Sequence, residues 1–238
     1  MIVEGINVIN ELISAGKKIE KILIENNSNK DLQNIALKAK NNNIPFELIS
    51  KQDLERIKPK TQGVIAFVPK FKYAEVKDIL TRAEEQNEKP FIVILDGILD
   101  PHNLGSIVRT CECAGVHGVI IPQNRACEIN ETVYKTSAGA VAHMLIASVV
   151  NLNRTIEELK QAGIWVYALE AGSKKLYKAD FSYPTALIVG GEGKGVSQLV
   201  KKNADEVLSL NMYGKVNSLN ASNAAAVAIY EVVRQRAK

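Results

Sequence analysis

The sequence predicts an α/β protein in two parts, a small layered unit at the N-terminus and a larger unit built on a parallel sheet. Three observations predict it. Continuous apolar runs recur from Phe91 onward, as expected of strands buried on both faces of a parallel sheet. Helical stretches separate several of those runs, which is the pattern of βαβ units. The first third alternates shorter extended and helical patterns, in a chain whose 238 residues are comfortable for two domains.

Taken in order, Val3, Ile6, Val8, Leu12 and Ile13 give a helical stripe. Glu20–Asn26 reads as a strand, and Asp31–Lys40 as a helix whose apolar face is Leu32, Ile35 and Leu37. Pro45–Ile49 is a second strand, Gln52–Ile57 a short helix and Gly63–Val68 a third strand. Residues 1–70 thus form one α/β unit. Residues 71–89 are charged, lie between Pro69 and Pro90, and read as a linker with one helix on Val76, Ile79, Leu80 and Ala83. Residues 90–238 form the larger domain. The FIVIL run after Pro90 is followed by runs at Val116–Ile121, Met144–Val150, Ile164–Leu169 and Ala186–Val189, with a weaker one at Glu206–Leu210. Helices are predicted at Leu104–Ala114, Thr155–Ala162 and Ser222–Arg236.

Composition narrows the function classes. Hydrophobic residues make up 46% and charged residues 24%, ordinary for a folded protein. No apolar run reaches the ~18 residues of a membrane span, and the first residues, MIVEGINVINELISAGKK, lack the basic start and apolar core of a secretory signal. Cys111, Cys113 and Cys127 are too few and of the wrong parity for a disulfide framework. Cys111 and Cys113 lack a second Cys/His pair at zinc spacing and read as buried structural thiols, and no metal site is predicted. A cytoplasmic protein is expected. The net charge of +4 sits wholly in residues 1–72, which hold 12 Lys/Arg against 8 Asp/Glu, while 73–238 balance at 18 each. That placement suits a module that holds a polyanion, and it equally suits a solvated surface.

Three segments that follow strands carry unusual chemistry. Asp100-Pro-His-Asn-Leu-Gly-Ser-Ile-Val-Arg109 puts Asn103 and Gly105 where a loop becomes a helix, at a strand's carboxyl end, the usual ligand position in open α/β sheets. Alternatively, Asn103 caps the helix and Arg109 pairs with a surface acid. Gly190-Gly-Glu-Gly-Lys-Gly195 has four glycines that allow close backbone approach or positive φ. It fits neither common nucleotide motif: the GxGxxG frames fail at Val196 and Gln198, and a P-loop fails at Ile188 and Gly195. Leu210–Asn223 (LNMYGKVNSLNASN) leads into an alanine-rich helix; a plain N-cap explains one or two of Ser218, Asn220, Ser222 and Asn223, not all four. His117, among apolar residues, reads as structural. His102 and His143 can titrate near neutrality, but no catalytic base is placed on any histidine.

In this order and spacing, DPHNLGSIVRT, IVGGEGKGV and LNMYGKVNSLNASNAAAVAIYE resemble the SpoU/SPOUT (TrmH) class of RNA 2′-O-ribose methyltransferases, over about Pro90 to the C-terminus. KTSAGAVAH (Lys135–His143) looks like that class's intermediate segment. Residues 1–70 look like the small ribosomal-protein-L30e-like substrate-binding domain of one subgroup, most similar to enzymes that methylate a guanosine ribose in 23S ribosomal RNA.

The resemblance implies a SPOUT catalytic domain closed by a deep trefoil knot, an exception to the no-knot rule. It implies S-adenosylmethionine held by Gly190, Leu210 and Leu219, with Gly191, Met212 and Ser218 as neighbours, and a homodimer to which the apolar helix Ala224–Val233 contributes. Arg109 takes the central role, as phosphate holder or stabiliser of a developing alkoxide, because a guanidinium practically never loses its proton. Glu192 would orient Arg109 or collect the proton, and Asn103 and Asn220 would position loop and substrate. RNA would be held by Lys17, Lys18, Lys21, Lys58, Lys60, Arg125 and Lys135. The competing readings are a tRNA ribose methyltransferase of the same fold and a non-catalytic RNA-binding protein; the missing GxGxxG disfavours an oxidoreductase.

Overall fold

The structure is a computed structural model that describes residues 1–237, with side chains for all of these but 171–173. In chain order the elements are β1 (Ile2–Glu4), α1 (Ile6–Ser14), β2 (Lys21–Glu25), α2 (Lys30–Asn41), β3 (Phe46–Ile49), α3 (Lys51–Ile57), β4 (Val64–Phe67), α4 (Val76–Glu85), β5 (Phe91–Asp96), α5 (Pro101–Cys113), β6 (Gly118–Pro122), α6 (Glu131–Thr136), β7 (Ile146–Val149), α7 (Leu152–Gln161), β8 (Trp165–Lys175), β9 (Thr185–Gly190), α8 (Gln198–Asn203), β10 (Glu206–Ser209) and α9 (Ala221–Arg236). Two compact units divide the chain: Met1–Lys72 with Ile129–His143, and Tyr73–Glu128 with Met144–Lys238.

The first unit is a four-stranded sheet in the order β1-β4-β2-β3, with β4 antiparallel to both neighbours and β2 parallel to β3. Val3 lies on β1 rather than on the predicted helical stripe; Gly5, at φ +104°, separates that strand from α1. On α2 the buried face is Leu32, Ile35 and Ala39, and the predicted Leu37 is 57% exposed. At about 100° per residue, a position five on from Leu32 has turned away from the core, whereas positions three and seven on have not. Residues 129–143 complete the unit. Lys135 pairs with Glu4 and Lys58 with Glu131, each at 2.6 Å, and His143 Nε2 lies 2.8 Å from Glu11. Gly139, at φ +91°, sits so close to α1 that a Cβ there would come within 2.8 Å of the Glu11 side chain.

The second unit is the predicted parallel sheet, six strands in the order β10-β8-β9-β5-β6-β7. Ile92, Ile94, Ile120, Val166, Ala186 and Ile188 meet Ile156 and Leu159 of α7 in its core. β8 runs on to Lys175, past the predicted end at Leu169, and α8 has no counterpart in the sequence reading. Gly118 opens a slot on β6 into which Ile79 of α4 inserts; a Cβ there would lie 2.4 Å from the Ile79 side chain. His117 is buried: its Nδ1 accepts from the Phe91 amide at 3.0 Å, and its Nε2 lies 3.3 Å from a Glu88 carboxylate oxygen. Cys111 is buried as predicted, and burial raises its thiol pKa. Cys113 corrects the prediction: two residues on, it faces solvent at the end of α5. Among the described residues, no helix is long and apolar enough to cross a membrane.

Candidate active site

The site lies at the carboxyl ends of β5, β8, β9 and β10, and the turn after β9 is its centre. The four glycines of that turn answer two separate demands. Gly190 and Gly191 are there because backbone meets backbone: a Cβ on Gly190 would lie 2.1 Å from the Gly195 carbonyl carbon, and one on Gly191 would lie 2.0 Å from the Gly97 carbonyl oxygen. Gly193 and Gly195 take φ of +79° and +61°, conformations that L side chains rarely adopt. The turn is pinned from both sides. Gly191 N donates to the Asp96 carbonyl at 2.9 Å, Ser197 N to the Asp96 carboxylate at 2.8 Å, and Val196 N to the Glu170 carboxylate at 3.2 Å.

Hydrogen bonds join the three motif segments at one point. Asn103 Nδ2 donates to Glu192 Oε1 at 2.7 Å, and Asn220 Nδ2 donates to the same oxygen at 2.9 Å and to Asn103 Oδ1 at 3.0 Å. Asn103, only 6% exposed, is not the cap of α5. Asp100 is, its side chain accepting from the His102 amide at 3.1 Å. Freed from capping, the Asn103 amide is available to Glu192. Asn220 does two jobs: its Nδ2 serves the cluster, while its Oδ1 caps α9, accepting from the amides of Ser222 and Asn223.

Beside this cluster opens a cavity of about 590 Å³. Its wall includes Gly190, Gly191, Leu210, Met212, Ser218 and Leu219, the six residues to which the resemblance gave the cofactor, together with Glu192 and Asn220. Leu169, Glu170, Leu208 and Asn217 also line it and were not foreseen. Asp96 and Glu170, which hold the turn, each directly follow an apolar run, but nothing in the sequence sets such a carboxylate apart from a solvated charge. Arg109 is exposed on α5, six residues on from Asn103, with no side-chain ion pair or hydrogen bond among the described residues. Glu192 takes its hydrogen bonds from the two asparagines and none from Arg109.

The seven basic residues expected at RNA divide into two groups. Lys21, Lys58 and Lys135 are paired at 2.6 Å with Glu47, Glu131 and Glu4, and Lys135 belongs to the first unit. Lys17, Lys18, Lys60 and Arg125 are exposed and make no ion pair among the described residues. Lys60 and Arg125 both hold φ near +60°.

The parallel α/β sheet thus carries a glycine-lined cavity and an amide–carboxylate cluster at its carboxyl edge, and comparison with known proteins gives the class of enzyme. Residues 90–230 match the SpoU rRNA Methylase family, and residues 2–74 match the RNA 2′-O ribose methyltransferase substrate-binding family. A Bacillus subtilis (strain 168) protein named as a TrmH family tRNA/rRNA methyltransferase, YacO, is 42% identical over 98% of this chain and 94% of its own. A Staphylococcus aureus protein named for the same family is 40% identical over 99% of this chain and 96% of its own. The SpoU methyltransferase AviRb of Streptomyces viridochromogenes, solved in complex with the cofactor AdoMet, superposes with a TM-score of 0.84 at 25% identity, over 99% of this chain and 90% of that one. The chain belongs to the SpoU (TrmH) family of RNA methyltransferases.

Proposed function

We propose that this enzyme transfers the methyl group of S-adenosylmethionine to the ribose 2′-hydroxyl of a guanosine in 23S rRNA, acting as a cytoplasmic homodimer. The observation that carries the reading is the cluster of Asn103, Glu192 and Asn220 at the cavity wall. Three separate segments supply it, and it fixes one carboxylate where a hydroxyl can approach.

The cavity suits the donor. Its volume of about 590 Å³ lies inside the usual range for small-molecule sites. Leu169, Leu208, Leu210, Met212 and Leu219 offer apolar faces to a purine, the bare backbone at Gly190 and Gly191 allows close approach, and Glu170 brings a carboxylate to a ligand that carries positive charge. When bound, S-adenosylmethionine supplies a methyl group activated by the sulfonium charge. The chain's own task is to align a poor nucleophile and relieve it of a proton. The Glu192 carboxylate, held by two amide donors, takes that proton. Arg109 keeps its own, so it holds a phosphate or stabilises the developing alkoxide.

The expected trefoil knot is part of this reading. The homodimer is supported by the outer face of α9, where Val227 and Tyr230 are about half exposed (48% and 49%). An RNA substrate is supported by the 2–74 substrate-binding match, and the rRNA reading by the description of the SpoU rRNA Methylase family matched at 90–230. A solved tRNA-modifying enzyme, TrmH/SpoU of A. aeolicus, covers only 66% of this chain. Tritiated methyl transfer onto unmodified 23S rRNA and onto unmodified tRNA, with Arg109→Ala as control, tests the reading. Transfer to rRNA that is lost in the variant supports it. Transfer to tRNA alone moves the substrate, and no transfer to either RNA ends it.

A further inference from the structure

Two aromatic rings near the ends of β8 and β10 stand in water for no reason that packing supplies. Tyr213 is 92% exposed and Tyr177 is 54% exposed. Tyr177 lies in the 3-10 turn Leu176–Lys178 that follows β8, Tyr213 lies in the segment after β10, and the two strands are neighbours in the sheet. One side chain ties the rings together. Asn211 Nδ2 donates one hydrogen to the Tyr213 hydroxyl oxygen at 2.8 Å and the other to the Tyr177 hydroxyl oxygen. The amide nitrogen thus spends both hydrogens on side chains, and each phenol keeps its own proton to donate outward. A ring left in water gains little from the hydrophobic effect, and tethering it costs rotamer freedom. Folding stability therefore does not explain the arrangement.

Position and charge do. Asn211 sits between Leu210 and Met212, both in the wall of the methyl-donor cavity, so the rings stand at its margin. Lysines flank them. Lys174 is engaged by Glu206 at 2.9 Å, while Lys178 and Lys215 are exposed and make no ion pair among the described residues. Two exposed rings tied at their hydroxyls, with lysines that make no ion pair among the described residues close by in the chain, match a single-stranded nucleic acid, whose bases stack and whose phosphates need neutralising.

We propose that Tyr177 and Tyr213 form a stacking platform for an unpaired RNA base that flanks the nucleotide to be methylated, with Lys178 and Lys215 on the adjacent phosphates. This rests on the RNA methyl-transfer reading above. Asn211 is then a positioning residue that fixes the rings before RNA arrives. Because every base has a π face, the platform tolerates sequence and contributes affinity rather than base choice.

The test uses the full chain with a fluorescein-labelled ten-nucleotide oligouridylate in anisotropy titrations, and methyl transfer to 23S rRNA transcript in parallel. Tyr213→Ala and Tyr177→Ala should each weaken oligonucleotide binding about tenfold and raise KM for the transcript. Tyr213→Phe keeps the ring but loses its tether to Asn211, so it and Asn211→Ala should both fall between wild type and the tyrosine-to-alanine variants. Calorimetric affinity for S-adenosylmethionine should not move in any of the four, which also shows that the variants are folded. Alanine variants that bind the oligonucleotide like wild type, a phenylalanine variant as weak as the alanine one, or no binding by wild type at all would each overturn the platform. Wild-type protein that methylates rRNA while the alanine variants keep their KM sinks only the platform. Wild-type protein that methylates no RNA sinks the reading beneath it.

Discussion

At the scale of single residues, Glu192 is held by two neighbouring amides while Arg109 is exposed on its helix, six residues on from Asn103 and without a partner among the described residues. In the proposed role Arg109 would act through its planar fork of donors, which an ammonium cannot reproduce. Arg109→Lys should therefore lower turnover by about 10²-fold, the scale for losing one preorganised donor to developing charge. Calorimetry should find the affinity for S-adenosylmethionine unchanged; near-wild-type turnover would refute the geometric role. His117 gives a second residue-level prediction. Burial lowers its pKa, and the nearby Glu88 carboxylate only partly offsets that. Its Nδ1 accepts from the Phe91 amide, so the neutral ring carries its proton on Nε2. The unfolded imidazole, near pKa 6.5, binds a proton more readily than the folded one, so stability is lost as pH falls below about 6.5. Thermal melts from pH 7.5 to 5 should show wild type losing more Tm than His117→Gln; parallel curves would contradict this. Asn103, Glu192 and Asn220 were singled out one by one in the sequence, although a plain cap remained open for Asn103 and only the segment around Asn220 held more polar residues than a cap explains. Asp96 and Glu170 were not singled out, since a lone carboxylate at a strand end looks like any solvated charge until the turn it holds is seen.

At the scale of elements, what the sequence showed depended on how strongly each segment repeats. The parallel strands were legible because both faces are buried, so their apolar runs are unbroken. α2 was found but its face was misplaced, because Leu37 is apolar yet off the stripe and Ala39 is small yet on it. α8, of six residues, and β1, of three, are too short to show a period. Gly118 shows the same limit: inside VHGVII it reads as a weak point in a strand, but it is the slot that lets α4 lie against the sheet. Filling the slot and emptying it should therefore both cost stability. Ile79→Ala removes a fully buried side chain and should cost about 2–5 kcal/mol. Gly118→Val forces branched carbon into space that Ile79 already occupies and should cost about 1–3 kcal/mol or more. Urea unfolding at constant m-value measures both, and a neutral result for either would mean that α4 is loosely seated.

At the scale of the whole molecule, charge and connectivity lead to two measurements. Lys17 and Lys18 are exposed and unpaired among the described residues, while Lys21 and Lys58 are already engaged by carboxylates. If the unpaired cations contact phosphate, Lys17→Ala with Lys18→Ala should reduce the slope of log K against log salt by about 1.4, at roughly 0.7 per phosphate on a single strand. Lys21→Ala should leave the slope nearly unchanged. Connectivity makes the other case. A cut near residue 90 looks natural in the sequence, but residues 129–143 belong to the same compact unit as 1–72. Val133, Tyr134, Ala140 and Val141 of that segment are buried, Gly139 sits against α1, and Lys135 and Glu131 are tied to Glu4 and Lys58. Residues 90–238 expressed alone would therefore carry a stretch of apolar side chains stripped of their packing. At about 25 cal/mol per Å² of apolar surface returned to water, losing several such side chains approaches the whole stability of an ordinary domain. The shortened chain should melt well below the full chain and bind a hydrophobic dye in its folded baseline. If instead it unfolds cooperatively at the full chain's Tm without binding dye, the segment needs no partner from residues 1–72.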